Sequence, residues 1–145
     1  MDYVTLGAAE ARDRLAHVLN EVAYGGQRYI VERRGRPLVA ILPAGEYAAL
    51  VQLLSEHGAT SDVRGIPVRI RFDGSRYFVS DDPFDLYGEG ATLDAARQDY
   101  WLAVQEYRVD LEADADRLAP YLAECLERLR ALMAPEAAGE ADRDA

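Results

Sequence analysis

The chain contains no lysine, and all sixteen of its basic residues are arginine. Cys125 is its only cysteine, which excludes an internal disulfide and any cysteine-based metal cluster. His17 and His57 are its only histidines, and their separation does not match metal-ligand spacing. No lysine follows Gly88-Glu-Gly90, so that stretch is no phosphate loop and reads as backbone turning. No run of eighteen apolar residues occurs, so the sequence predicts no membrane span. The N-terminus is acidic and lacks a signal-peptide pattern, which makes the cytoplasm the expectation. No cofactor is called for.

What is present is enough apolar residue, half of a 145-residue chain, for one ordinary domain or two small ones. The formal net charge is −10, and it is unevenly spread. Residues 1–56 balance at −1 and residues 57–145 at −9. Such asymmetry suggests two jobs: a near-neutral part able to meet a polyanion, and an acidic part suited to a basic partner.

Val4 to Leu6 is a short β-prone start. Ala11, Leu15, Val18, Leu19 and Val22 then recur at helical spacing from Ala8 onward, and Gly25-Gly26 ends the helix. Arg34-Gly35 between two apolar runs is a two-residue hairpin signal, with Pro37 at the start of the returning strand. Pairing Arg33 with Arg36 sets Val31 against Leu38 and Ile30 against Val39, so both hairpin faces are apolar. One helix covers one face, which implies a second copy of the chain on the other, with Ile30, Val39 and Ile41 at the interface. Another helix is predicted from Glu46 to about Glu56.

Residues 58–65 read as a polar linker. Val68, Ile70 and Phe72 alternate with polar residues as in a half-buried strand; Asp73-Gly74 turns the chain, Tyr77 to Ser80 returns, and Leu86-Tyr87 gives a short third strand. Thr92 caps a long helix whose inner stripe is Leu93, Ala96, Tyr100, Val104, Tyr107 and Leu111. A last helix is expected over Asp116 to Met133, with Pro120 in its first turn. Residues 134–145 are small, acidic and aperiodic, the composition of a disordered tail.

The order and spacing of Val4–Leu6, Glu10-Ala-Arg12 with Leu15, Ile30-Val-Glu-Arg33-Arg-Gly-Arg-Pro, Val39-Ala-Ile-Leu and Glu46-Tyr47 resemble the Phd/YefM antitoxin family. The resemblance implies an α+β fold whose N-terminal β-α-β-β-α module, residues 1–57, dimerises and binds operator DNA. It also implies an antitoxin that neutralises a cognate toxin and represses its own operon. The family pattern places DNA contacts on Arg12 and Arg33, with Arg34 and Arg36 alongside. Ala9 stands where members often carry a serine or threonine, so a contact from that hydroxyl is missing. Residues 66–111 resemble, through fewer features, a HicB-like antitoxin domain with a partial RNase H-like fold; C-terminal helices extend this second α+β domain to residue 133. A toxin of such a system is often a basic nuclease.

Alternatives stand beside each of these readings. The hairpin arginines also suit a solvated turn that keeps an exposed hairpin soluble, and the chain as a whole also suits a dimeric regulatory module with no toxin. Asp81-Asp82-Pro83-Phe84-Asp85 with Glu89 has the acids for a divalent metal, but lacks a partner base and serves equally as an ordinary loop or an acidic face for a basic toxin. No metal site and no catalysis are expected. Phe84, Tyr100 and Trp101 are candidate anchors for the partner, although Trp101 also suits packing beneath a neighbouring element. Cys125 falls on an apolar stripe as a small core residue.

Overall fold

The structure is a computed structural model that describes residues 2–134. The chain divides into two units, Met1–Leu53 and Leu54–Ala145, the division falling inside a helix four residues before the boundary expected at 57. Most of the expected tail lies outside the described residues.

The first unit opens with β1 (Val4–Gly7), two short helices α1 (Ala8–Asp13) and α2 (Leu15–Gly25), then the hairpin β2 (Tyr29–Arg33) and β3 (Arg36–Ile41). β1 pairs with β2 in parallel, and β3 lies antiparallel on the far side of β2. The expected single helix is broken at Arg14, whose backbone leaves the helical region at φ −115° and ψ 19°. Gly26 ends α2 at φ 68°, the left-handed conformation that a residue without Cβ adopts freely. Leu6, Ala11, Val18, Val22, Tyr29 and Val31 form the core, with Ala8 and Ile41 packed against it.

Two expectations for this unit are corrected. Leu15 and Leu19 do not join the core but stay about half exposed, because the break at Arg14 re-aims the second helix. The hairpin turns where expected, with Arg33 opposite Arg36, but a bulge shifts the register so that Val31 meets Val39 and Ile30 meets Ala40. Leu38 has no cross-strand partner. Pro37, which has no N–H to give the ladder, stands beside this irregularity. Ile30 and Val39 consequently lie on opposite faces of the sheet instead of facing each other.

Helix α3 (Ala44–His57) follows, and its large apolar residues Tyr47, Leu50 and Leu53 are exposed. The second unit is a four-stranded antiparallel meander, β4 (Ala59–Val63), β5 (Ile66–Phe72), β6 (Tyr77–Ser80) and β7 (Tyr87–Gly90), in that order across the sheet. Helix α4 (Leu93–Ala113) packs on β7 and β6, and α5 (Pro120–Met133) packs on α4.

The stretch 58–65 is therefore no linker, because most of it is the first strand of this sheet. Its polarity follows from its position at the sheet edge: Val63 faces the core while Thr60 and Asp62 face solvent. Arg64 and Gly65, at φ 49° and 88°, turn it back so that Val63 pairs with Ile66. The Asp62 carboxylate accepts the Gly65 N–H at 2.9 Å and closes the turn.

The return from β5 takes four residues and is held by Asp73, whose Oδ1 accepts the N–H groups of Ser75 and Arg76 at 2.9 and 2.8 Å. These bonds hold the Asp73 carboxyl below its ordinary range.

Gly88 and Gly90, expected to turn the backbone, instead belong to β7. A Cβ on Gly88 would lie 2.0 Å from the Tyr100 backbone nitrogen, and one on Gly90 would lie 2.6 Å from that of Ala96. The two glycines let α4 lie directly on the strand backbone. Thr92 caps that helix as expected, its Oγ1 accepting the Ala95 N–H at 3.1 Å. The final helix starts at Pro120 instead of Asp116, because a proline keeps the preceding residue out of helical conformation; Ala119 sits at φ −59°, ψ 153°. Val68, Ile70, Val79, Tyr100, Val104, Leu126 and Leu129 fill the core. Burying each aliphatic side chain contributes about 1.5–3 kcal/mol.

Candidate functional site

Arg12 on α1 and Arg33 and Arg34 at the hairpin tip line one open cleft of about 590 Å³, together with Gly7, Ala8, Ala9 and Glu32. The parallel pairing of β1 with β2 produces this meeting, because it brings Gly7, where α1 begins, opposite Glu32. Arg34 reaches φ 53° in the tight turn, and Gly35 follows at 74°. Arg36 lies directly across the hairpin from Arg33.

The charge state of this edge follows from the ion pairs around it. Arg28 is held by Glu46 through two hydrogen bonds, the Nε one at 2.7 Å, and Glu46 is in turn held below the usual carboxylate range. Arg14 bonds Glu10 at 3.1 Å. Arg12 meets Asp13 at 3.2 Å, with its side chain 78% exposed. Arg33, Arg34 and Arg36 are exposed and make no ion pair among the described residues. Of the six arginines in the first unit, three turn-tip guanidinium groups thus remain for an outside anion.

Below them, Glu21 accepts the Tyr29 hydroxyl and meets His17 at 2.9 Å. The Tyr29 bond foremost, then His17, lowers the Glu21 carboxyl. His17 thus sits beside Glu21 on the helix surface.

The expected partner anchors separate. Tyr100 is 0% and Phe84 6% exposed, so both are core residues and neither is available to a partner. Their aromatic surface is used inside the unit: Phe84 packs near Tyr107, and the Tyr100 hydroxyl donates to Asp81. Trp101 is partly buried with the Arg64 guanidinium stacked 4.7 Å from its ring centre, so it packs under a neighbouring turn. Asp81 is buried as well; its Oδ1 accepts the Phe84 N–H at 2.6 Å. The 81–85 stretch is in the first place a folded loop, and no group of three or more His, Cys, Asp or Glu among the described residues is arranged to hold a metal ion.

The interface candidates also differ from one another. Val39 is 57% exposed, whereas Ile30 is half-buried and Ile41 packs against its own core. Leu38, Tyr47 and Leu50 add exposed apolar surface in the same unit.

A feature that sequence reading missed lies along the second unit's edge strand. Asp85, Leu86, Tyr87 and Glu89 on one side, and Asp99, Leu102, Ala103 and Glu106 of α4 on the other, line a groove of about 540 Å³. The signal was available in the spacing: positions 99, 102, 103 and 106 form a helical stripe of their own, apart from the buried one.

The first unit is thus a small three-stranded α+β module with a cleft rimmed by arginine. Its residues 4–58 match the model of the family "Antitoxin Phd_YefM, type II toxin-antitoxin system", and the match stops before β4. A solved structure from Syntrophomonas wolfei subsp. wolfei, the antitoxin part of a proposed toxin/antitoxin system, shares 19% identity, with 91% of this chain and 88% of that one covered and a TM-score of 0.39. No curated protein matches the chain. Among the described residues, no helix is long and apolar enough to cross a membrane.

Proposed function

We propose that the chain is an antitoxin of a type II system which binds its operator as a homodimer through the first unit and neutralises a basic toxin through the second. The observation that carries the reading is the convergence of Arg12, Arg33 and Arg34 on one cleft within the segment that matches the antitoxin family. Unpaired guanidinium groups at a turn tip can straddle a phosphate row or reach a guanine edge, and they release counterions as they bind. Arg36, across the hairpin from Arg33, widens the cationic edge.

Exposed Leu15, Leu19, Leu38, Val39, Tyr47 and Leu50 support the homodimer, because so much large apolar surface on one small module is costly in water. The acidic balance of residues 57–145 supports a cationic protein partner for the second unit, and the same charge repels nucleic acid from it. The meander under α4 is compatible with a HicB-like outline. No catalytic role is assigned, and the cytoplasm is the compartment such a pair would share.

The test is coexpression of the full chain with the product of the adjoining small gene. Growth arrest by that product alone and recovery with the full chain support the reading. Arrest that the full chain does not relieve overturns it.

A further inference from the structure

The acidic groove beside β7 combines features that a bare cluster of carboxylates does not have. β7 is the last strand of its sheet, so one side of its backbone has no strand neighbour. The Glu89 N–H points to that side, because it donates to Oδ2 of Asp99 at 2.8 Å instead of joining the ladder. Tyr87, 65% exposed, and Leu102, 53% exposed, give the groove apolar surface on both of its walls. Gly88 and Gly90 hold α4 tight against the strand, so the helix forms a fixed second wall parallel to a free edge.

Most of the groove's carboxylates also lack a cationic partner. Glu89 meets Arg76 at 3.5 Å, but Asp85, Asp99 and Glu106 make no ion pair among the described residues. Three carboxylates without a cationic partner between partly apolar walls select a cation and exclude phosphate. A sheet edge with no strand neighbour, flanked by a helix, selects an extended chain, which takes over the Glu89 N–H from Asp99 and adds main-chain hydrogen bonds to the edge while alternate side chains enter the groove.

We infer that this groove takes an arginine- or lysine-bearing extended segment of a partner protein as a fifth strand against β7. Cationic side chains of that segment reach Asp85, Asp99 and Glu106, and its apolar ones lie on Tyr87 and Leu102. The assignment rests on reading the second unit as the partner-binding part, and it names the place on that unit.

The experiment uses the full chain and a fluorescent eight-residue peptide of alternating arginine and valine, with anisotropy as the readout. Wild type binds; Leu102→Arg/Glu106→Arg binds at least about tenfold more weakly, since like charges then face the peptide. Ala115→Arg/Glu127→Arg, which changes net charge equally on exposed positions outside the groove lining, stays within about twofold of wild type. The same peptide with alternate backbone nitrogens methylated, which cannot pair with an edge, loses binding. Equal binding by the groove variant, binding of the methylated peptide, or no binding by wild type each overturns the proposal. So does a groove variant that changes the oligomeric state, which would make a second copy the occupant. Recovery of growth in the coexpression assay, measured separately, distinguishes the two failures: a protective chain with no peptide binding sinks the groove alone.

Discussion

The Tyr100 hydroxyl donates to Oδ2 of Asp81 at 2.5 Å, joining the long helix of the second unit to the loop that precedes its last strand. Asp81 is the one buried charged residue among the described core, and both of its oxygens are engaged. Tyr100→Phe keeps the packing but strands a carboxylate oxygen, so it should cost about 2–3 kcal/mol. Urea unfolding of the two proteins checks this.

That same pair predicts an alkaline response. Burial first, and the Asp81 bond second, raises the Tyr100 phenol well above its ordinary value. The neutral phenol is the form the fold holds, so its stabilisation is complete below about pH 10, where the unfolded tyrosine is also neutral. Above that, the unfolded chain ionises while the folded one does not, and stability falls by about 1.4 kcal/mol per pH unit for this group. Tyr100→Phe should flatten the decline, as measured by thermal unfolding between pH 9 and 11.

Gly88→Ala should destabilise the second unit by about 3 kcal/mol, because its new Cβ would meet backbone atoms of Tyr100 that no side-chain rotation can move. Gly35→Ala meets no atom within 4 Å and bears only the strain of its φ of 74°, a smaller effect of about 1 kcal/mol. Comparing their melting temperatures separates steric from backbone cost.

The contrast between those glycines shows how much the sequence could convey. Arg34-Gly35 was legible as a hairpin because apolar strands flank it on both sides. Arg64-Gly65 makes a similar turn, yet it went unread because the strand before it is an edge, with small and polar residues on its solvent side. Gly88 and Gly90 read as a turn for a related reason: what they accommodate is a helix beginning after them in sequence, and close approach leaves no periodic mark. Only the family resemblance brings Arg12 and Arg33 together, by implying a DNA contact at each; nothing in the spacing alone links the two. The anchors were misjudged because Tyr100 and Phe84 are aromatic whether they face a partner or Asp81 and Tyr107.

If the first unit pairs as proposed, Val39→Asp should give a monomer with little loss of fold, since Val39 is exposed within its own protomer and a charge there opposes only a partner. Light scattering at tens of micromolar checks it. Ile41→Asp should unfold the first unit instead, because Ile41 packs against the protomer's own core.

The central claim is that the arginine cleft of the first unit engages DNA. Anisotropy titrations of the full-length protein with the DNA upstream of its own gene, repeated from about 50 to 200 mM salt, test it most directly. On the proposed reading, Arg12→Ala/Arg33→Ala removes four phosphate contacts from a dimer, two per protomer, so the slope of log affinity against log salt should become shallower by about 3 to 4. The dimer itself should be unchanged, because both side chains are exposed. A double variant that binds with the wild-type affinity and the wild-type salt slope would contradict the assignment of DNA binding to this cleft.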